Sequence, residues 1–231
     1  MEHLTDIITA ITRSSSRKHL YHMTRVTNLA HIALTDKLLA SSRMVPQLSG
    51  TIRDRPVEVA IDAYTVTVNA HLRIPEAMMA PGISRAAFHA YLDKHVFCWP
   101  TKRDCRYMID SYGRREPSET VAVMELEAAS LLMDHGRRVK LSRYDSGSAP
   151  RYPGRCSYRK SPAMFVRLES FGRREAPWVP TIPSQIREVL IEEEVGPLSD
   201  YISTLYCDEW KAVPACWQNI RKPLSALAVE S

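Results

Sequence analysis

The run Leu20-Tyr21-His22-Met23-Thr24 has the alternating character of a short strand. Thr27 follows as the expected N-cap of a short helix whose apolar stripe is Leu29, Ile32 and Ala33. Leu38-Leu39 then opens a further element. Upstream, Met1 to Arg17 reads as a short amphipathic helix with Ile7, Ile8 and Ile11 on one face, ended by Ser14-Ser15-Ser16.

Downstream, the order of elements is mixed. Val57 to Val68 carries the strand-like alternation Tyr64-Thr65-Val66-Thr67-Val68, with a start that also fits a helix. Ile83 to Asp93 is a predicted helix capped by Ser84, and Val96-Phe97-Cys98-Trp99 a strand stopped by Pro100. Lys102 to Tyr112 is a predicted helix closed by Gly113, Thr120 to Leu126 a strand, and Ala128 to Asp134 a helical turn. Tyr144 to Ser161, rich in Gly, Pro, Ser, Tyr and Arg, is a long loop of the kind that often carries function. Ala163 to Leu168 and Ile186 to Glu192 are further strands, the latter expected to be buried on one side, and Leu198 to Leu205 a last short element. With no regular βαβ alternation the fold class is α+β. Neither G-x-G-x-x-G nor G-x-x-x-x-G-K-[ST] occurs, which argues against a Rossmann or P-loop nucleotide site.

The 231 residues suit one domain with short appendages: 1–18 as an N-terminal helix, 19–206 as the main domain and 207–231 as a C-terminal tail. No window reaches the ~18 apolar residues of a membrane span, and the N-terminus lacks the apolar core of a signal peptide. Five widely spaced cysteines without a C-x-x-C fit free thiols in a reducing compartment rather than disulfides or zinc. The expected location is therefore the cytoplasm, without a membrane partner or a metal. The net charge of +5 and the clusters Arg114-Arg115, Arg137-Arg138, Arg151 to Lys160 and Arg173-Arg174 suit a polyanion such as RNA, DNA or a dinucleotide.

Three places combine polar side chains with strand ends. His22 and Thr24 share one strand face, and a neutral imidazole offers one donor and one acceptor to ribose hydroxyls. By spacing alone a structural histidine is the plainer reading. Phe97 and Trp99 lead into Thr101, Lys102 and Arg103, where an aromatic face could stack on a flat ring and a cation meet a diphosphate; read alone, they are core and solvated cations. Glu188 sits among Val189, Leu190 and Ile191, so it faces solvent or is placed for work. No Ser-His-Asp arrangement or H-E-x-x-H is present.

At these same residues the chain resembles known families. Leu20-Tyr21-His22-Met23-Thr24 with Asn28-Leu29 and Ile32 resembles the opening of bacterial toxins that ADP-ribosylate DNA bases, the DarT type, and Glu188-Val189-Leu190-Ile191 resembles the strand that carries their catalytic glutamate. Lys37 stands where those toxins have a glycine before the Leu-Leu pair. The chain is more similar, over about 20–205, to an uncharacterised bacterial domain family that shares Tyr21-His22-Met23-Thr24, Ile52-Arg53-Asp54, Val96-Phe97-Cys98-Trp99-Pro100, the Ser146-Gly147 to Arg155 loop and Glu188-Val189-Leu190-Ile191.

The toxin resemblance implies an ADP-ribosyltransferase-like fold, two small packed sheets forming a cleft for NAD with flanking helices. It implies NAD as substrate, Glu188 as catalyst, His22, Thr24 and Asn28 at the ribose, and Trp99 with Lys102 or Arg103 along the dinucleotide. The acceptor it implies is a nucleobase in RNA or DNA, reached by Arg151, Tyr152, Arg155, Tyr158 and Arg159 of the long loop, in a toxin–antitoxin or phage-defence setting with a possible antitoxin partner. Two other classes stay open: a protein-directed ADP-ribosyltransferase, and a non-catalytic module that binds nucleotides or nucleic acid.

Overall fold

The computed structural model describes residues 2–147, 150, 152–173 and 176–228. In chain order these form α1 (Glu2–Ile11), β1 (His19–Arg25), α2 (Leu29–Thr35), β2 (Leu38–Leu39), α3 (Ser41–Met44), the hairpin β3 (Val57–Ile61) and β4 (Tyr64–Val68), α4 (Arg85–Leu92), β5 (His95–Cys98) and α5 (Lys102–Arg115). Then come β6 (Val121–Glu127), α6 (Ala128–His135), β7 (Val139–Ser142), β8 (Phe165–Arg167), β9 (Glu188–Glu192), β10 (Glu194–Val195), β11 (Ile202–Tyr206) and β12 (Arg221–Lys222). The fold is α+β, with small packed sheets and flanking helices, as expected.

Two four-stranded sheets dominate, ordered β1-β6-β11-β12 and β5-β9-β7-β8. The main core joins them. From β6 it takes Ala122, Met124 and Leu126, and from β9 Val189 and Ile191. The alternate residue of β6, Val123, turns to the opposite face and packs with Tyr21, Met23 and Cys105, under α5. Leu190 of β9 likewise packs outward with Met78, Phe88 and Phe165. Strand β9 is thus buried on both faces, not one, because α4 and the segments around it cover its second side. Helix α1 is held by its apolar face. Ile7, Ile8 and Ile11 are buried in the main core, at ~1.5–3 kcal/mol for each such side chain. It also approaches closely at Gly136, where a Cβ would stand 2.9 Å from Leu4 Cδ2.

Other local expectations are corrected. Thr27 caps nothing: residues 26–28 form a 3₁₀ turn and α2 begins at Leu29 without a side-chain cap. Gly113 does not end α5, which runs through it to Arg115. Asp36 takes the left-handed conformation, φ 52°, that closes α2. The turn therefore does not require a glycine at Lys37, since Asp tolerates that region.

A backbone bridge also joins the two sheets. Tyr21 of β1 and Trp99, just past β5, exchange backbone hydrogen bonds of 2.9 and 2.8 Å. Trp99, at that bridge, also lines the cavities of the site. No helix among the described residues is long and apolar enough to cross a membrane.

Candidate active site

Two cavities, of about 250 and 560 Å³, share Trp99, Met108 and Glu188. Glu188 is the first residue of β9, placed beside Ser142 by the β7–β9 register, and is only 2% exposed. Its Oε2 accepts a hydrogen bond from the Ser146 N–H at 3.0 Å. Burial raises its affinity for a proton, and Asp145 adds to this. The Ser146 hydrogen bond and Lys160 oppose them, and the carboxyl is pushed up to about 8. Gly147, next to that donor, packs where a Cβ would lie 2.5 Å from Leu72 Cδ1.

The smaller cavity is lined by His22, Thr24 and Asn28 together with Trp99 and Glu188. His22 Nδ1 lies 2.8 Å from the Phe97 carbonyl oxygen. A carbonyl only accepts, so Nδ1 carries the proton, and in the neutral ring Nε2 is an acceptor. Burial outweighs the hydrogen bond to Phe97 and pushes the imidazolium down to about 4, so the ring is neutral at ordinary pH. Thr24 is buried two residues along the same strand. Asn28 serves the fold as well as lining the cavity. Its amide donates to the Thr67 carbonyl at 3.1 Å and accepts from the Thr67 N–H at 2.8 Å. That pairing ties the start of α2 to β4.

The same cavity reaches a polar network that sequence reasoning missed. Arg53 donates twice to Asp93, at 2.8 and 2.6 Å. The Arg53 N–H donates to His71 Nδ1 at 3.0 Å, so His71 Nε2 carries the proton and donates to Asp93 at 3.1 Å. His71 also stacks on His89, centroids 4.3 Å apart. Burial alone would raise Asp93, but the hydrogen bonds from Arg53 and His71 outweigh it and hold the carboxyl below its ordinary range. The members stand at positions 53, 71, 89 and 93, too far apart for a local pattern to join them; of the four only Arg53 falls in a quoted motif, Ile52-Arg53-Asp54.

The larger cavity is bordered by the exposed face of α5, with Arg103, Arg106 and Tyr107, and by Arg143 and Arg187. Positions 103, 106, 107 and 110 follow helical spacing and share that face. Asp104, Asp110, Asp145 and Glu188 balance the arginines, and Arg187 pairs with Asp104 at 2.9 Å. Arg103 and Arg106 have no ion-pair partner among the described residues.

Arg103 thus borders the larger cavity, whereas His22 borders the smaller. Lys102 lies outside the described lining of both cavities, its Nζ 5.8 Å from the centre of the Tyr206 ring. Tyr152, Arg155, Tyr158 and Arg159 line neither cavity among the described residues. Arg155 covers the Tyr152 ring, Arg159 donates to the Cys156 and Tyr158 carbonyls, and Tyr158 stacks on Tyr144 with centroids 3.8 Å apart. Tyr144 borders the larger cavity, so Tyr158 backs its wall. Arg151 lies outside the described residues. Among the described residues no group of three or more His, Cys, Asp or Glu side chains is arranged to hold a metal ion.

The model of DUF7002, a family of unknown function, matches residues 18–202. The chain belongs to that family. The matched span holds the strands β1 to β10 and every residue of the two cavities named above. No curated protein matches the chain. Among solved structures, the chain is similar to DarT of Thermus sp. 2.9 in complex with NAD+, at 15% identity and a TM-score of 0.40, covering 85% of each chain. It is also similar to that protein's complex with ADP-ribosylated single-stranded DNA, at 12% identity and a TM-score of 0.36, covering 85% of this chain and 84% of that one.

Proposed function

We propose that this chain is an NAD-dependent mono-ADP-ribosyltransferase with an ADP-ribosyltransferase-like fold, and that Glu188 is its catalytic residue. The observation that carries the reading is the position of Glu188: a buried carboxylate where two cavities meet, one bearing a neutral histidine and the other an arginine- and tyrosine-bearing helix face. The motif resemblance at His22, Thr24 and Glu188 supports the same reading.

The chemistry suits the arrangement. Cleaving the bond between ribose and nicotinamide creates an oxocarbenium-like centre. The ionised Glu188, itself buried, stabilises that charge, and accepts the proton of the attacking group. His22 Nε2 accepts from a ribose hydroxyl, and Thr24 borders the same end. Trp99, buried between the cavities, offers a face to a flat ring.

The acceptor is a nucleobase in RNA or DNA. Arg103, Arg106 and Tyr107 on α5 meet a single strand by phosphate contact and base stacking, with Tyr152, Arg155, Tyr158 and Arg159 as further contacts. Modifying nucleic acid harms the host cell, so the chain acts in the cytoplasm as the toxin of a toxin–antitoxin or phage-defence pair. Incubating the protein with labelled NAD and a cell lysate, then treating with nuclease or protease, tests the acceptor. Label lost with nuclease supports a nucleobase; label lost only with protease assigns a protein acceptor instead. Absence of any transfer or NAD cleavage leaves the non-catalytic module.

A further inference from the structure

Lys160 is fully buried, with no exposed surface. A buried ammonium is costly unless paired and hydrogen-bonded. Its backbone is fixed on both sides: the Lys160 N–H donates to the Met78 carbonyl at 2.7 Å, and its carbonyl accepts from the Ala80 N–H at 3.1 Å. Its Nζ donates to the Asp145 carbonyl at 2.8 Å and the Ser146 carbonyl at 2.7 Å. The Asp145 carbonyl belongs to the same peptide group as the Ser146 N–H that donates to Glu188, and the Ser146 carbonyl to the next one. The lysine therefore grips the short segment that presents Glu188 with its hydrogen bond.

We propose that Lys160 is a positioning residue for Glu188, holding the Asp145–Ser146 segment so that the Ser146 N–H stays aimed at the carboxylate. The role rests on the reading of Glu188 as the reacting group. The fold needs no cation there to complete a strand or helix, since the lysine's contacts are with a loop. The groups that face Glu188 are Asp145, which raises its affinity for a proton, Lys160 and the Ser146 N–H, which lower it, and Tyr158 behind them. Arg103, Arg143 and Arg187 stand around the larger cavity. Removing the Lys160 cation takes away one of the influences that keep Glu188 ionisable.

The test is a titration of Glu188 by NMR on protein carrying carbon-13 glutamate, assigned by the signal missing in Glu188→Gln and run without NAD. In Lys160→Met the Glu188 midpoint should rise by about one unit. Lys160→Gln, which keeps a donor without the charge, is the second variant should the methionine fail to fold, and should move the midpoint the same way. Lys160→Arg should hold it within about half a unit. In parallel, kcat for NAD cleavage should fall about tenfold at neutral pH with KM little changed, and the acid limb of the rate profile should shift with the NMR midpoint. An unchanged midpoint in a folded Met or Gln variant overturns the proposal. If Glu188→Gln cleaves NAD at the wild-type rate, the catalytic reading fails instead, and the NMR midpoint still decides the link between Lys160 and Glu188.

Discussion

Asp93 and Glu188 line the same cavity and are almost equally hidden, 6% and 2% exposed. Their surroundings push them in opposite directions. Asp93 meets a two-pronged guanidinium and an imidazole N–H, and its carboxyl is held below the ordinary range. Glu188 is buried beside Asp145, its favourable influences are Ser146 and the Lys160 charge with no guanidinium fork on its oxygens, and it is pushed up to about 8. Burial is common to both, so burial does not separate them; completeness of partners does. The first carboxylate is a structural tie between the segment before β3 and the end of α4. The second holds its proton more tightly than a free carboxyl does, a perturbation common at functional sites.

The largest expected effect is on the tie. Asp93→Asn leaves the Arg53 guanidinium buried without its counter-ion, and should cost ~3–5 kcal/mol in urea unfolding. An effect under ~1 kcal/mol would erase the contrast with Glu188. Glu188→Gln should do the reverse and stabilise the fold. The sign follows from linkage: a carboxyl whose proton affinity is raised on folding contributes stability that is fully present below its unfolded value near 4.3 and is lost as pH rises through about 8. The melting temperature of Glu188→Gln should therefore pull ahead of wild type between those limits, by ~5 °C at pH 9. Asp93 behaves oppositely, and its contribution is lost only as pH falls below about 4.

His22→Ala removes the acceptor Nε2 and should raise KM for NAD about tenfold, the size of one hydrogen bond. Because the imidazolium is held down to about 4, His22 should add no limb to the rate profile between pH 5 and 9. The smallest effect is a proton count. The nicotinamide ring of NAD is cationic and favours an ionised Glu188, so binding at pH 7 should release up to one proton. Calorimetry in buffers of different ionisation enthalpy reads this directly, and proton uptake would contradict it.

Much of this frame was legible in the sequence because it rests on local patterns. Leu20 to Thr24, Val96 to Trp99 and Ile186 to Glu192 mark strands by composition, and Ser84 and the Ile7-Ile8-Ile11 stripe mark helices. Strand β7, Val139–Ser142, was not legible: it has four residues, follows an arginine pair, and Leu141 and Ser142 are both buried. Glu188 stood out as a charge among apolar residues, but its hydrogen bond comes from a backbone N–H, which no side chain advertises. Lys160 looked like one more cation in a basic loop. Only the folded loop turns it inward. Arg103 reads equally well toward either side of Trp99 until α5 fixes its face toward the larger cavity.

The most direct test of the central claim is transfer of labelled ADP-ribose from NAD, at pH 8, by wild type and by folded Glu188→Gln. The wild type should label nucleic acid, and the variant should be slower by ~10²–10³-fold, the usual cost of losing a group that stabilises charge in the transition state. Equal rates in the two proteins would contradict the account.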